Sequence, residues 1–528
     1  MRDLKRREFL RLSAAGASLG LLQATGSGSW SSPTLASAAT AAPAAGVKRG
    51  GTFTFATTAG IQEFNPLMLV PGQYPFMRAL YNTLARYDAQ LRLQPELAEK
   101  WEFSADGMAL TLKLRQGVKF HSGREFTSAD VKPSVEFGQK NEKVTMRGTY
   151  QTVKQVEAPD KYTVVLKFDR VTTAAYDILD TLYIIDKETI EERNKSAIGT
   201  GPFKLDKYIP NDRAEFVAFK DYWETGKPLL DRYVMRVIPD VSALVLNLES
   251  GAIDCAWRIT NMDAARLQGM GGKYVVTTGA PGLGAFDIAL NVTVEPFKNK
   301  KVRQAIAWSV DRERFNKTVM RGLSQPSCLM WPSHSWAYFK DLEGAIGFDL
   351  EKAKALLKEA GLEQGFQIEM LTSSKRQFGY GELAQILQAD LRKIGITARV
   401  VDAEPAVYDN RSLVKGDIQM MVHTYGRANR DPGSLVTGAR AWTGGWKEGN
   451  WTYFESAEWE RWRKELTSTL DMDRRKAAAR KLQEIALDEC FTIPVATSLP
   501  VFAYASQVKD FAVTMDNSIF VGGVWLDK

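Results

Sequence analysis

Late in the chain, Gly426-Arg427-Ala428-Asn429-Arg430-Asp431-Pro432 sets two arginines around a short polar loop, with Arg440 downstream. A guanidinium is a planar fork of donors that suits a carboxylate or phosphate, and it suits a neighbouring Asp or Glu of the same chain equally well. Both readings stay open at this point. Tyr425 precedes the loop, and Trp442, Trp446 and Trp451 follow it around Gly444-Gly445 and Gly449. Flat rings lining a cleft suit sugar rings or conjugated ligands; packed inward, they make a hydrophobic plug. Bond-breaking chemistry is poorly supplied. The chain has three histidines, and past residue 46 it lacks Gly-x-Ser-x-Gly, His-Glu-x-x-His and a phosphate-binding Gly-Lys-Thr loop. Cys255, Cys328 and Cys490 are far apart, odd in number and without metal-ligand spacing, which leaves room for one disulfide at most. No catalytic set, metal site or cofactor motif emerges. His121, in a hairpin turn, and His423, inside a strand, read as structural.

The elements that must position these residues alternate. Gln419 to Tyr425 is a strand that ends at the arginine loop. Ala243 to Leu248 reads as a helix stopped at Ser250-Gly251, and Trp257 follows at a strand end, where α/β sheets present ligand contacts. Val302, Ala305, Ile306 and Val310 form one stripe of a helix, with Asp311 capping the next. Lys352 to Ala360, Tyr380 to Ile394 and Arg474 to Leu487 are further helices, and Ile396 to Val401 is a strand. Strands alternating with helices of this length argue an α/β fold. Earlier, Gly51 to Ala56 alternates as a strand and Phe64-Asn65-Pro66-Leu67 turns out of it. Leu110 to Leu114 and Tyr162 to Phe168 are strands, and Thr127 caps a helix with Asp130 in its first turn. Pro133 is tolerable there.

Composition sets the outer bounds. A chain of 528 residues, 45% hydrophobic and 25% charged, is ordinary globular material for two or three lobes. Lys5-Arg6-Arg7-Glu8-Phe9-Leu10, an interrupted apolar run to Leu22 and small residues at Ala36-Ser37-Ala38 or Ala39-Thr40-Ala41 have the form of an export signal. That run is well short of the roughly 20 apolar residues of a spanning helix. Residues 1–46 carry five basic and two acidic side chains, so the net charge falls from +7 to +4 without them. A surplus that small, with no basic run, argues against nucleic acid as a partner.

One stretch ties these pieces together. Ile198-Gly199-Thr200-Gly201-Pro202-Phe203-Lys204-Leu205 predicts a rigid turn, its glycines admitting positive φ, before a hairpin that runs through Asn211-Asp212-Arg213 and Ala214 to Phe219 and closes on Asp221-Tyr222-Trp223. In this order it resembles a segment of the solute-binding proteins of ABC importers, the peptide/nickel-binding family (family 5). Arg115 to Gly123 with Phe126 to Val131, Pro296 to Glu313, and the strand and loop from Gln419 to Pro432 resemble further blocks of that family, and the leader resembles a twin-arginine signal.

The resemblance implies a two-lobed α/β periplasmic-binding-protein type II fold with an extra insertion subdomain, closing on a solute by hinge motion. The divisions it suggests are 1–46 leader and linker, 47–89 and 198–288 first lobe, 90–197 insertion, 289–499 second lobe, and 500–528 a return to the first. It implies a periplasmic monomer, without catalysis or cofactor, that delivers a small molecule or oligopeptide to membrane permease subunits served by cytoplasmic ATPases. A secreted hydrolase, or a peptide-binding chaperone or sensor on the same fold, is the alternative.

Carried across residue by residue, Tyr425 takes the place of a pocket tryptophan and Asp431-Pro432 match the closing pair of the cleft loop. The acidic residue that pairs with a peptide's free amine falls on Ala428, and the histidine of the nickel binders falls on Gly433. A ligand held by its N-terminal ammonium, or a metal, is therefore disfavoured; a peptide-like, opine-like or saccharide solute, with anionic ones among the candidates, is the expectation. The candidate contacts are Tyr425, Arg427, Arg430, Asp431, Trp257, Trp442, Trp446 and Asn65.

Overall fold

Thr52–Thr57 is the strand on which the first lobe is built, because Phe53, Phe55 and Ala56 are all fully buried and the strand is covered on both faces. The structure is a computed structural model that describes residues 46–528 except 62, 70–72, 89–91, 193–196, 280–283, 427–429, 444–449, 498 and 516–517. The leader lies outside the described residues.

A seven-stranded sheet runs in the order Tyr274–Thr278, Val501–Ala505, Cys255–Trp257, Thr52–Thr57, Arg232–Val237, Arg213–Ala218, Phe203–Ile209. Thr52–Thr57 is parallel to both its neighbours, with Phe55 opposite Cys255 and Met235. On one face Phe53, Phe216 and Tyr233 stack, and on the other Ala256 packs with Leu244 and Val245 of helix Val241–Glu249. The hairpin expected after Gly201 is present, with Asn211 left-handed at φ 60° in its turn.

The two glycines before that hairpin serve close approach rather than positive φ. A Cβ on Gly199 would stand 2.1 Å from the Leu80 carbonyl oxygen, and one on Gly201 2.4 Å from that of Ala79. The loop is pressed against the end of helix Tyr74–Leu80, and Gly201 N donates to Leu80 O. His121 clamps it from the other side: its Nε2 donates to Gly201 O at 3.0 Å and its Nδ1 accepts from Gly199 N. Burial pushes this imidazole down to about 4, so it is neutral and structural.

An antiparallel four-stranded sheet, Ala98–Phe103, Ala109–Leu114, Thr163–Phe168, Val153–Asp160, forms the insertion, together with helices Val131–Lys140 and Ala174–Thr181. The second lobe holds a five-stranded sheet in the order Ile396–Asp402, Phe366–Thr372, Met420–Gly426, Gly284–Leu290, Thr492–Thr497, flanked by helices such as Tyr380–Lys393. Strand Gly284–Leu290 belongs wholly to this second sheet, so a boundary at residue 288 falls inside it. The crossings between the sheets run side by side, since Gly279 N donates to Pro500 O at 2.8 Å.

Candidate ligand-binding site

Asp431 ends the loop after strand Met420–Gly426 and caps helix Pro432–Gly438, its Oδ1 accepting from Gly433 N at 3.0 Å. Arg475, on helix Met472–Glu489, grips both carboxylate oxygens at 2.6 Å, and both side chains are buried. Such a bidentate pair fixes the loop's exit.

Arg430 donates to Asp180 of the insertion helix. Asp180 also receives Tyr87 N at 3.0 Å and Arg78 Nη2 at 3.4 Å. Arg78 reaches Glu96 at 3.2 Å, and Glu96 accepts from Asn82 Nδ2 and from the Thr83 hydroxyl. One turn earlier on the insertion helix, Asp177 accepts from Asp431 N at 3.1 Å and from the Ser434 hydroxyl. Carboxylates of the first lobe and insertion thus meet arginines and backbone donors of the second in a buried network. Removal from water pushes Asp177 up to about 6 despite the nearby Arg430 charge.

Gly433 lies against this seam, where a Cβ would stand 2.9 Å from the Thr173 hydroxyl oxygen. A histidine at that position has no room. Among the described residues, no group of three or more His, Cys, Asp or Glu is placed to hold a metal ion.

The aromatic candidates divide between the lobes. Tyr425 is buried, donates to Met330 O at 3.0 Å and meets Trp442 edge-on at 5.5 Å. It lines a small pocket with Ala285, Trp331, Pro332, Ala496 and Thr497. Trp442 lies behind it, fully buried among Trp459, Phe491 and Phe454. Its ring therefore supports the pocket wall as core packing. In the first lobe Trp257 stacks on Phe502 at 5.6 Å and meets Tyr74 edge-on, with its indole N–H buried and unpartnered. Asn65 is buried too; its Oδ1 accepts from Leu67 N at 3.0 Å, the local turn that Asn before Pro favours, while its Nδ2 has no partner. Arg427, Ala428 and Trp446 lie outside the described residues.

The structure therefore joins Tyr425 to Trp442, and Arg430 and Asp431 to one network, while Trp257 and Asn65 sit in the other lobe. Sequence reasoning missed Asp177, Asp180, Ser434 and Arg475. His423 pairs in register with Asp287 inside the sheet. Burial pushes that carboxyl up to about 7 and the imidazole down to about 3. The three cysteines are free and buried.

Two α/β lobes joined by adjacent crossings, with polar and aromatic groups at the strand ends between them, define a receptor that holds a solute between its halves. The chain belongs to the bacterial extracellular solute-binding proteins of family 5, whose middle-region model matches residues 92–446. These are solute-binding components of ABC importers. It is similar to the dipeptide-binding protein of Escherichia coli K12, 28% identical over 502 residues that cover 88% of this chain and 92% of that one. Among solved structures it is similar to the periplasmic binding protein AgaA of A. tumefacien R10 in complex with agropinic acid, at TM-score 0.74 and 25% identity, covering 90% of this chain and 99% of that one. It is also similar to the Helicobacter pylori binding protein DppA in complex with the peptide STSA, at TM-score 0.74 and 26% identity, covering 91% and 99%. Among the described residues no helix is long and apolar enough to cross a membrane.

Proposed function

We propose that the protein is exported through its twin-arginine leader, captures a small organic solute between its lobes without altering it, and hands it to a membrane permease. The observation that carries this reading is the buried Arg430–Asp180 pair, which joins the halves across the seam. Contacts that exist only when two lobes meet bias a hinge toward its closed state, and a solute touching both lobes adds to that bias.

The solute is peptide-like, opine-like or a saccharide. Ala428 argues against recognition through a free N-terminal ammonium, because a buried ammonium without a carboxylate partner costs several kcal/mol. Tyr425 and Trp257 are the aromatic contacts of the two lobes, and Arg427 and Trp446 are candidate contacts by sequence. Arg430 and Asp431 hold the loop and the seam, Trp442 supports Tyr425, and Asn65 shapes the turn after the first strand.

Mass spectrometry of what the protein carries when purified from its host tests this directly. A stoichiometric organic solute, released on unfolding and rebinding saturably without conversion, is the expected result. Conversion of that solute to product would overturn it.

A further inference from the structure

Arg258 differs from the buried arginines of the network between the lobes. Arg78, Arg430 and Arg475 are each matched by carboxylates. Among the described residues, the Arg258 guanidinium has no carboxylate in ion-pair range and no hydrogen-bond acceptor; it lies against the face of Trp257, at 5.9 Å, with the Tyr74 side chain close enough to interact. The side chain is nevertheless part-buried, and burial pulls its pKa below the ordinary arginine value. A cation removed from water without a counter-charge is costly, which is why buried charges are ordinarily paired.

Its backbone is also unusual. Arg258 is left-handed at φ 66°, a conformation unfavourable for a residue with a Cβ. Strain of this kind persists where the surroundings over-determine it and gathers at ligand sites. Here Arg258 N donates to Val501 O at 2.8 Å, in the segment where the chain re-enters the first lobe, beside the crossing at Gly279 and Pro500. Arg258 therefore stands beside the crossings between the lobes.

The surrounding atoms fit the same purpose. The parallel strands Thr52–Thr57 and Cys255–Trp257 end together here, with Ala56 opposite Ala256. Thr57 Oγ1 and Trp257 Nε1 are both buried and both without partners. Two unpartnered donors, and next to them the residue that carries the guanidinium, thus lie at the carboxyl ends of adjacent parallel strands, where open α/β sheets bind ligands. A single guanidinium matches one carboxylate in charge and in fork geometry, whereas a phosphate dianion calls for more positive charge than the described residues supply here.

We propose that Arg258 is the specificity-determining contact for an organic carboxylate, forking onto the acid group of the captured solute beside the Trp257 indole. This rests on the solute-capture reading above and adds the class of ligand.

The test is intrinsic tryptophan fluorescence on the mature chain, stripped of carried solute by unfolding and refolding. It would be titrated with agropinic acid, glutathione, the tetrapeptide Ser-Thr-Ser-Ala and the same tetrapeptide as its C-terminal amide. Wild type is compared with Arg258→Gln, Arg258→Lys and the exposed control Arg399→Gln, with circular dichroism and melting confirming that each is folded. The expected result is saturable binding of at least one free acid, weakened tenfold or more by Arg258→Gln, less by Arg258→Lys, and unchanged by Arg399→Gln. For the tetrapeptide the amide would bind at least tenfold more weakly than the acid, and Arg258→Gln would erase that preference. Saturable binding indifferent to both amidation and Arg258 would overturn the carboxylate assignment and leave solute capture standing. If no probe binds to the folded wild type, the proposal falls together with the capture reading for organic acids of these kinds.

Discussion

Arg430, from the loop after strand Met420–Gly426, and Asp180, from helix Ala174–Thr181 of the insertion, face each other as an ion pair with side chains 6% and 1% exposed. They are 250 residues apart in sequence, and their contact is a contact between lobes. Removing Arg430 leaves Asp180 with Arg78 and the Tyr87 N–H, so the cost stays below the about 3–5 kcal/mol typical of a buried charge left without any partner. Arg430→Met is expected to lower the urea midpoint and enlarge the radius of gyration in solution scattering. The same substitution in an Asp180→Asn background, where the side-chain oxygen still accepts from Tyr87 N, should cost less. An equal Arg430→Met loss in both backgrounds would show that the pair does not hold the seam.

Asp177 makes the same seam sensitive to pH. Its carboxyl is pushed up to about 6 by burial, in the company of Tyr87, Asp180, Arg430, Asp431 and the Ser434 hydroxyl. For an acid raised in the buried state, the linked stability is fully present below the ordinary value near 3.8 and is lost as pH rises through about 6. Compactness measured by scattering is therefore expected to increase from pH 7.5 to pH 5 in wild type. Asp177→Asn should flatten that dependence, and a variant with the wild-type profile would remove Asp177 from the account.

The glycines at the start of the long hairpin make a prediction about packing. A methyl group at Gly201 would meet the Ala79 carbonyl oxygen at 2.4 Å, so the loop must shift from helix Tyr74–Leu80. Overpacking of this sort costs about 1–3 kcal/mol. Gly201→Ala should lower the urea midpoint accordingly, and an unchanged midpoint would show that the loop has slack.

Much of the fold was legible because it is local. Strand Met420–Gly426, helix Met472–Glu489 and the hairpin Phe203–Ile209 with Arg213–Ala218 follow from alternation, helical spacing and turn residues. The Gly-Thr-Gly turn was read for the right element and the wrong reason, since close approach to a helix cannot be seen in the loop's own residues. Asp177 and Asp180 gave no signal, because their partners lie in the other lobe and a carboxylate on a helix looks like solvent-facing charge. Trp257 stood out as a large ring at a strand end. Arg258 beside it did not, because nothing in the sequence tells that an arginine lacks a partner.

Asp287 offers a test inside the second lobe. Burial pushes it up to about 7, so its linked stability declines as pH rises through 7, with His423 opposite it already neutral. Asp287→Asn is expected to fold as well as wild type at pH 8 and to lose the decline in melting temperature between pH 6 and pH 8. A large loss at both pH values would mean that the ionised carboxylate is required.

The central claim is that two lobes close on a solute that leaves unchanged. Small-angle scattering of the stripped mature chain, titrated with a solute identified by its saturable binding and followed by mass spectrometry of that solute, tests it most directly. The account predicts a saturable fall in radius of gyration that tracks occupancy, with the solute recovered intact. Full occupancy with no change in scattering, or recovery of a converted product, would contradict it.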